Sequence, residues 1–374
     1  MARPITSRVR EHFDWALFAA VAAVAVIGVI NLYSATLTHP SAALRELYIK
    51  QIYLLSFGAL GALLVAAIDY RHFERLAYVL YTVGVGLLGL TLLVAETTRG
   101  SRRWLDFGPL GFQPSEVMKL LLVVALAKYL HDHPKQEGRN FRDLAIPAAM
   151  AALPIALILR QPDLGTALLL FLTFLTIMLL TRLKLRSFLT LVVIGSLTIP
   201  ITWEYLLQDY QKARIESFAN AWRESTEGIL EEGYHARQSI IAVGSGQVLG
   251  KGFLQGTQNT HRFLPDQHTD FPFAVWAEEQ GFLGATVVLG LYLFVVLWSL
   301  RIAAQAKDRF GAVVAVGVGS IFFWHTVLNL GMVMGLLPVV GVTLPLFSSG
   351  GSSVLTVLLG IGLLMNVSIR RFHF

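Results

Sequence analysis

The sequence predicts an all-α, polytopic integral membrane protein with about ten transmembrane helices and one long, partly helical extracytoplasmic loop. Three observations predict this: charge is scarce, long apolar runs recur along the chain, and the basic residues collect in alternate loops. Of 374 residues, 55% are hydrophobic and 14% charged, and the mean hydropathy is +0.61. A soluble domain carries roughly 25% charged residues. A chain this long with so little charge cannot cover a water-facing surface, so lipid is its main solvent.

The polar, basic start Met1–Glu11 leads into an apolar run from Trp15 to Leu32. That run is too long for the core of a signal peptide, and no small-residue cleavage site follows it, so it reads as a retained signal anchor. A hydrocarbon core needs about 20 apolar residues per helix. Ten stretches meet or approach this: Trp15–Ala35, Ile49–Ile68, Leu76–Ala95, Glu116–Leu130, Leu144–Leu159, Thr166–Leu180, Phe188–Trp203, Phe271–Leu300, Phe310–Leu336 and Ser352–Ile369. The fourth to seventh are short and call for packing inside a bundle.

Arginine and lysine in the short loops set the orientation. With the N-terminus cytoplasmic, the inner segments hold Arg3, Arg8 and Arg10, then Arg71 and Arg75, then Lys128, Lys135, Arg139 and Arg142. They continue with Arg182, Lys184 and Arg186, then Arg301, Lys307 and Arg309, then Arg370 and Arg371. The short outer loops hold only Arg45, Lys50, Arg99, Arg102, Arg103 and Arg160. Both termini are then cytoplasmic, and the formal charge of +6 is a topology signal with no nucleic-acid partner behind it. The whole chain, 1–374, forms a single transmembrane domain. Its one long loop, 204–270, lies outside between the seventh and eighth helices. Tyr205–Trp222 reads as an amphipathic helix, and His235–Val243 as a short one ending at Gly244-Ser245-Gly246. A long loop with apolar residues is a folded cap rather than a linker.

Several chemistries are excluded. There is no cysteine, hence no disulfide, thiol catalysis or cysteine-bound metal. No phosphate-binding Gly-x-x-x-x-Gly-Lys-Ser/Thr and no Gly-x-Ser-x-Gly turn is present. Gly244-Ser245-Gly246 has no strand before it and is no dinucleotide fingerprint. His261, Asp266, His268 and Asp270 share one loop, but their spacing matches no metal-site pattern.

The even-numbered helices open on the outer face with related motifs: Gln113-Pro114-Ser115-Glu116, Gln161-Pro162-Asp163-Leu164-Gly165, Thr269-Asp270-Phe271-Pro272 and Ser348-Ser349-Gly350-Gly351-Ser352-Ser353. Each taken alone reads first as a simple helix cap; converging on one face, the helix N-termini also read as the walls of a site for an anion such as phosphate. Glu116 and Lys119 share a helix face. They form either a self-satisfying ion pair or a polar cavity in which Lys119 meets an anion while Glu116 holds it. Asp270, where the loop re-enters the membrane, is an N-cap or a partly desolvated base.

Taken in order, these motifs resemble the SEDS family (shape, elongation, division and sporulation proteins). The resemblance runs through Asp14-Trp15, Tyr33-Ser34-Ala35, Arg103-Trp104-Leu105, the fourth and sixth helix starts, Gly250-Lys251-Gly252 and Leu264-Pro265. It continues through His268-Thr269-Asp270-Phe271, Ala277-Glu278-Glu279, Pro345 and Gly350-Gly351-Ser352-Ser353. It covers nearly the whole chain, and Leu330-Gly331-Met332 with Gly335–Gly341 is more similar to the elongation branch than to the division branch. Asp266 and Ser349 depart from the family pattern.

The resemblance implies a peptidoglycan glycosyltransferase that joins lipid II disaccharide units, with undecaprenyl pyrophosphate as leaving group. It places the essential aspartate on Asp270 and the cavity pair on Glu116 and Lys119. Arg102, Arg103, Ser115, Asp163, His268 and Thr269 are the further candidate substrate contacts, and a divalent cation (Mg2+ or Mn2+) bridging the pyrophosphate is compatible with the reaction but is not read from the residues. The implied partners are lipid II, membrane lipids and a class B penicillin-binding protein. The competing readings are a lipid II flippase and a non-enzymatic scaffold for a cell-wall transpeptidase.

Overall fold

The structure is a computed structural model; it describes residues 13–95, 103–107, 110–135, 137–181, 183–190, 193, 196, 204, 212–213, 215–216, 218, 231–260, 263–264 and 267–371. The long helices are α1 (Trp15–Leu37), α2 (Leu47–Ala67), α3 (Tyr70–Val94), α4 (Pro114–Asp132), α5 (Ala145–Leu159), α6 (Leu164–Leu180), α7 (Glu231–Ser245), α8 (Pro272–Ala304), α9 (Arg309–Val333) and α10 (Gly351–Arg370). Among the described residues, seven helical segments are long and apolar enough to cross a membrane, and α6 is a shorter apolar helix. The seventh predicted stretch, Phe188–Trp203, is helical at 185–190, 193 and 196; the rest of it, and most of Tyr205–Trp222, lies outside the described residues. So do Arg102, His261 and Asp266.

The remaining helix bounds differ from the predicted ones by a few residues. The exposed helices leave long rows of Leu, Val and Phe on the surface, as a lipid-facing shell requires. The centre is α9, which packs against α4, α6, α8 and α10. α4 is also central: thirteen of its nineteen residues are buried, Glu116 and Lys119 among them. This explains how a span carrying Glu116 and Lys119 is tolerated: it is enclosed by protein rather than lipid.

Two departures from regular helix shape the site end of the bundle. The first lies in α8, which breaks at Gly281 (φ 64°, ψ −162°). The chain 247–252 is spliced into the break. Phe282 N donates to Gln247 O (2.8 Å) and Leu283 N to Val248 O (3.2 Å), while Lys251 N donates to Glu278 O (3.0 Å) and Gly252 N to Glu279 O (3.0 Å). Backbones pass so closely that a Cβ on Gly281 would strike the Gly250 nitrogen, and one on Gly250 would strike the Glu279 carbonyl. These two glycines are needed for both space and positive φ.

The second departure is the non-helical segment 336–350 between α9 and α10. Val342, Leu344, Leu346, Phe347 and Ser348 are all buried. Irregular backbone at membrane depth must have its polar groups satisfied by protein. Here Asn329 Nδ2 donates to Val342 O (2.7 Å), Tyr292 OH to Pro345 O (2.6 Å), and Gln51 Nε2 to Ser348 O (3.3 Å). This segment brings α10 back to the same end of the bundle as the starts of α4, α6 and α8.

Candidate active site

A cavity of about 440 Å³ opens between these helix starts. Its walls include Arg103, Glu116, Asp163, His268, Thr269, Asp270, His325, Gly341, Thr343, Ser349 and Ser353. A smaller cavity of about 160 Å³ adjoins it, lined by Lys50, Gln51, Leu54 and Gly351 on its far side; His268, Thr269, Ser349 and Gly350 line both.

The four motif-bearing helix starts do not behave alike. Asp163 is the N-cap of α6: it accepts from Thr166 N (3.1 Å) and Thr166 Oγ1 (3.0 Å). The starts of α4, α8 and α10 have no side-chain cap; their N-cap positions are Gln113, Phe271 and Gly350. Asp270 directly precedes the N-cap position of α8, Phe271. Uncapped N–H groups and the positive end of a helix dipole favour an anion.

Asp270 is held through its backbone and its neighbours. Asn329 Nδ2 donates to Asp270 O (2.9 Å), and both the N–H and the hydroxyl of Ser349 donate to His268 O (2.9 and 2.8 Å). The Asp270 carboxylate lies beside Gly341, with Oδ2 3.6 Å from where a Cβ there would stand. Ser349, a departure from the family pattern, thus anchors the segment that carries the aspartate.

The Glu116–Lys119 pair exists, with Lys119 Nζ 2.8 Å from Glu116 Oε2. Lys119 Nζ also lies 2.7 Å from His325 Nε2, and His325 Nδ1 lies 2.8 Å from Thr343 O. An ammonium can only donate and a carbonyl can only accept. His325 therefore accepts at Nε2, carries its proton on Nδ1 and donates it to Thr343. The sequence reading had Lys119 facing an anion with Glu116 behind it. The structure reverses the order: Glu116 and His325 line the cavity, while Lys119, 1% exposed, sits behind them. The reason is helix geometry, since one turn along α4 carries Lys119 past the cavity floor into the contact with α9.

Arg103 is the cation on the cavity wall. Its Nη1 lies 3.7 Å from Asp163 Oδ1, and Gln113 Nε2 donates to Asp163 Oδ2 (3.0 Å). Ser115 is fully buried and does not line the cavity. His268 and Thr269 do line it, between the two cavities.

Sequence reasoning passed over His325 and Asn329. The signal for both was present: polar side chains in the ninth apolar stretch, the same argument that singled out Lys119. For a metal, among the described residues only Glu74, His131 and Asp132 gather three ligand atoms closely. They lie at the other end of the bundle, where Lys128 already bridges Glu74 (3.2 Å) and Asp132 (2.8 Å). Among the described residues, the cavity carboxylates form no such three-ligand cluster.

Comparisons with known proteins identify the family of the chain. A family model for FtsW, RodA and SpoVE, described as "Cell cycle protein", matches residues 14–373. The chain is 36% identical over 362 residues to peptidoglycan glycosyltransferase MrdB of Escherichia coli K12, covering 97% of this chain and 95% of that one. It is 31% identical over 432 residues to peptidoglycan glycosyltransferase RodA of Treponema pallidum, covering 96% and 98%. Among solved structures, it resembles a chain from work on a peptidoglycan synthase complex that coordinates polymerization and crosslinking, with TM-score 0.80, 33% identity and coverage of 97% and 99%. It also resembles the rod shape determining protein RodA of Thermus thermophilus, with TM-score 0.70, 32% identity and coverage of 97% and 98%.

Proposed function

Because the chain belongs to the FtsW, RodA and SpoVE family of cell-cycle proteins, we propose that it is a RodA-like peptidoglycan glycosyltransferase acting on lipid II during cell elongation. One observation carries the site assignment: a single cavity gathers Asp270, Glu116 and Arg103 beside the starts of α4, α8 and α10, whose N-cap positions make no side-chain cap bond.

In the proposed step, an acceptor sugar hydroxyl attacks the donor's anomeric carbon. The new glycosidic C–O bond forms as the bond from that carbon to the pyrophosphate oxygen breaks. The hydroxyl proton passes to the Asp270 carboxylate, and the electron pair leaves with undecaprenyl pyrophosphate. Direct displacement inverts the anomeric centre. A general base of this kind contributes typically about 10²–10⁴-fold. The departing negative charge is met by Arg103 and by the positive ends of the α4, α8 and α10 helix dipoles, which act most strongly in a site shielded from water. Lys119 is a positioning residue: by donating to both Glu116 and His325 it fixes the floor of the cavity and, through Thr343, the 336–350 segment.

The basic residues at the opposite end of the bundle support a topology in which both termini are cytoplasmic and the cavity faces outward in the cytoplasmic membrane. The partner we infer is a class B penicillin-binding protein, on the likeness to a chain of a synthase complex that couples polymerization to crosslinking.

The test is polymerisation of purified lipid II by the purified full chain, with glycan products resolved on a gel and no other glycosyltransferase present. Glycan made by the native chain and lost in Asp270→Asn supports the proposal. Absence of product from a folded native chain, with lipid II translocation in vesicles, would support the flippase reading instead; neither activity would leave the scaffold.

A further inference from the structure

A second cavity, of about 390 Å³, lies at the opposite end of the bundle and takes no part in the proposed reaction. It opens where α4 and α6 end and α9 begins. Lys135, Arg139 and Arg309 bring three cations to its wall, beside apolar Leu130, Leu180 and Val313. The sequence reading treated these cations as solvated topology markers. Arg139 is something else: it is only 3% exposed. Its Nη2 donates to His133 O (2.7 Å), but its Nη1 has no hydrogen-bond partner among the described residues.

A buried guanidinium with an idle donor is costly, because arginine stays charged and its N–H groups have lost water. Burial, with repulsion from Arg309, holds the Arg139 guanidinium below the ordinary arginine range, against the attraction of Tyr129 and Asp143. The acids near the cavity do not remove the excess. Asp143 pairs with Lys135 at 3.2 Å. Asp308 is engaged by Gly311 N (2.8 Å) and Tyr70 OH (2.6 Å). Among the described residues, Lys135 thus pairs with Asp143 while neither Arg139 nor Arg309 has an ion-pair partner, and Arg139 Nη1 is orphaned, in a pocket whose other walls are apolar apart from Thr181.

We propose that this cavity binds the phosphodiester headgroup of an anionic phospholipid, with Arg139 and Arg309 on the phosphate and the acyl chains along Leu130, Leu180 and Val313. Two facts favour a lipid over a soluble phosphate. The cavity lies at the helix ends, at the depth of lipid headgroups, and its apolar wall continues directly from the cationic one. Basic pockets between membrane helices on the cytoplasmic side suit such headgroups, and a planar guanidinium matches two phosphate oxygens at once.

The test is native mass spectrometry of the purified full chain in detergent. It is titrated with palmitoyl-oleoyl phosphatidylglycerol, with phosphatidylcholine of the same chains, and with glycerol 1-phosphate as competitor. Phosphatidylglycerol should be retained at least about tenfold more tightly than phosphatidylcholine, and Arg309→Gln should weaken it about tenfold, a change of ~1.4 kcal/mol. Arg139→Gln should weaken it further, but it also loses the bond to His133 and can fail to fold. Arg309 is exposed, so its variant keeps the test decisive. Equal retention of the two lipids, or unchanged phosphatidylglycerol binding in Arg309→Gln, would overturn the proposal. Displacement by glycerol 1-phosphate at equal concentration would overturn the lipid as the occupant and leave a soluble phosphate site.

Discussion

The two ends of the bundle treat their helix starts differently. At the end that carries the basic residues, the starts are closed by the protein's own carboxylates. Asp14 accepts from Leu17 N (3.3 Å), Asp69 from Arg71 N (3.0 Å) and Asp308 from Gly311 N (2.8 Å). The short helical turn before α5 carries an Asn140–Asp143 capping box. At the cavity end, α2, α4, α8 and α10 have no side-chain cap, and only α6 is closed, by Asp163. A carboxylate at a helix start satisfies its N–H groups and neutralises the dipole. Omitting it forfeits stability and leaves a positive surface for a ligand's negative charge. One end thus holds helices together, and under the proposed function the other holds an anion. Substitutions should sort the same way, with activity lost at the cavity end and stability at the other.

The largest effect should come from Asp270→Asn, which keeps the shape of the side chain and removes the base. Glycan synthesis from lipid II should fall by at least about 10²-fold, with the melting temperature unchanged. A variant that polymerises at the native rate would break the contrast at its centre, since Asp270 would then be another framing residue like His268.

The Glu116–Lys119 pair should show a mixed effect that a double mutant can separate. Lys119→Met leaves Glu116 and His325 without their shared donor, and breaking a buried pair costs about 3 kcal/mol or more. Thermal stability and activity should therefore fall together. Glu116→Gln with Lys119→Met removes the stranded charge, so stability should return while polymerisation stays low. Recovery of activity along with stability would make this pair structural, like the Lys251–Glu278 pair in the spliced loop. There the Glu278 carboxylate is already filled by Thr257 N (2.9 Å), Thr257 Oγ1 (2.9 Å) and Gln258 N (3.2 Å), as well as Lys251.

Gly250→Ala probes that splice. The added Cβ meets the Glu279 carbonyl at a position of φ +82°, so the loop must move or α8 must shift. A stability loss of about 1–3 kcal/mol is expected from overpacking and strain, read as an earlier melting transition. An unchanged transition would mean that the loop is not fixed into α8.

Much of the transmembrane plan was legible in the sequence because lipid imposes a length and polarity rule on each helix. The motifs at the cavity end were legible as helix starts for the same reason, and Asp270 stood out as an ionisable group beside an apolar run. What could not be read locally was set by contacts between distant segments. The break at Gly281 exists only because residues 247–252 supply replacement hydrogen bonds. The buried 336–350 segment is stable only because Gln51, Tyr292, His325 and Asn329 reach it from three helices. The sequence reading aimed Lys119 at an anion, whereas it points to Glu116 and His325, because its direction depends on where His325 lies on α9. Asp14, part of a motif in the sequence, takes its wider role from Trp298 Nε1 (2.7 Å) and Ser368 Oγ (3.1 Å), which tie α8 and α10 to the start of α1.

The smallest effect on activity, and the sharpest test of the contrast between the ends, is expected of Asp308→Ala. Asp308 does two things: it closes the start of α9 through Gly311 N and accepts from Tyr70 OH on α3. Losing an N-cap carboxylate costs typically about 1 kcal/mol, with a range up to ~2. The lost Tyr70 partner adds to this, because Tyr70 is only 4% exposed and a buried hydroxyl left without a partner costs about 1–3 kcal/mol. The melting temperature should therefore fall by a few degrees. Yet α9 also carries His325 and Asn329, which line and brace the cavity at its other end, so a loosened helix could in principle be felt there. The packing of α9 against α4, α6, α8 and α10 argues against transmission, because a frayed first turn is far from those two side chains. Polymerisation per folded molecule should stay within about twofold of the native chain, since surface-end changes away from a site leave it nearly untouched. A drop in activity well beyond the loss of folded protein would mean that the two ends are coupled through α9.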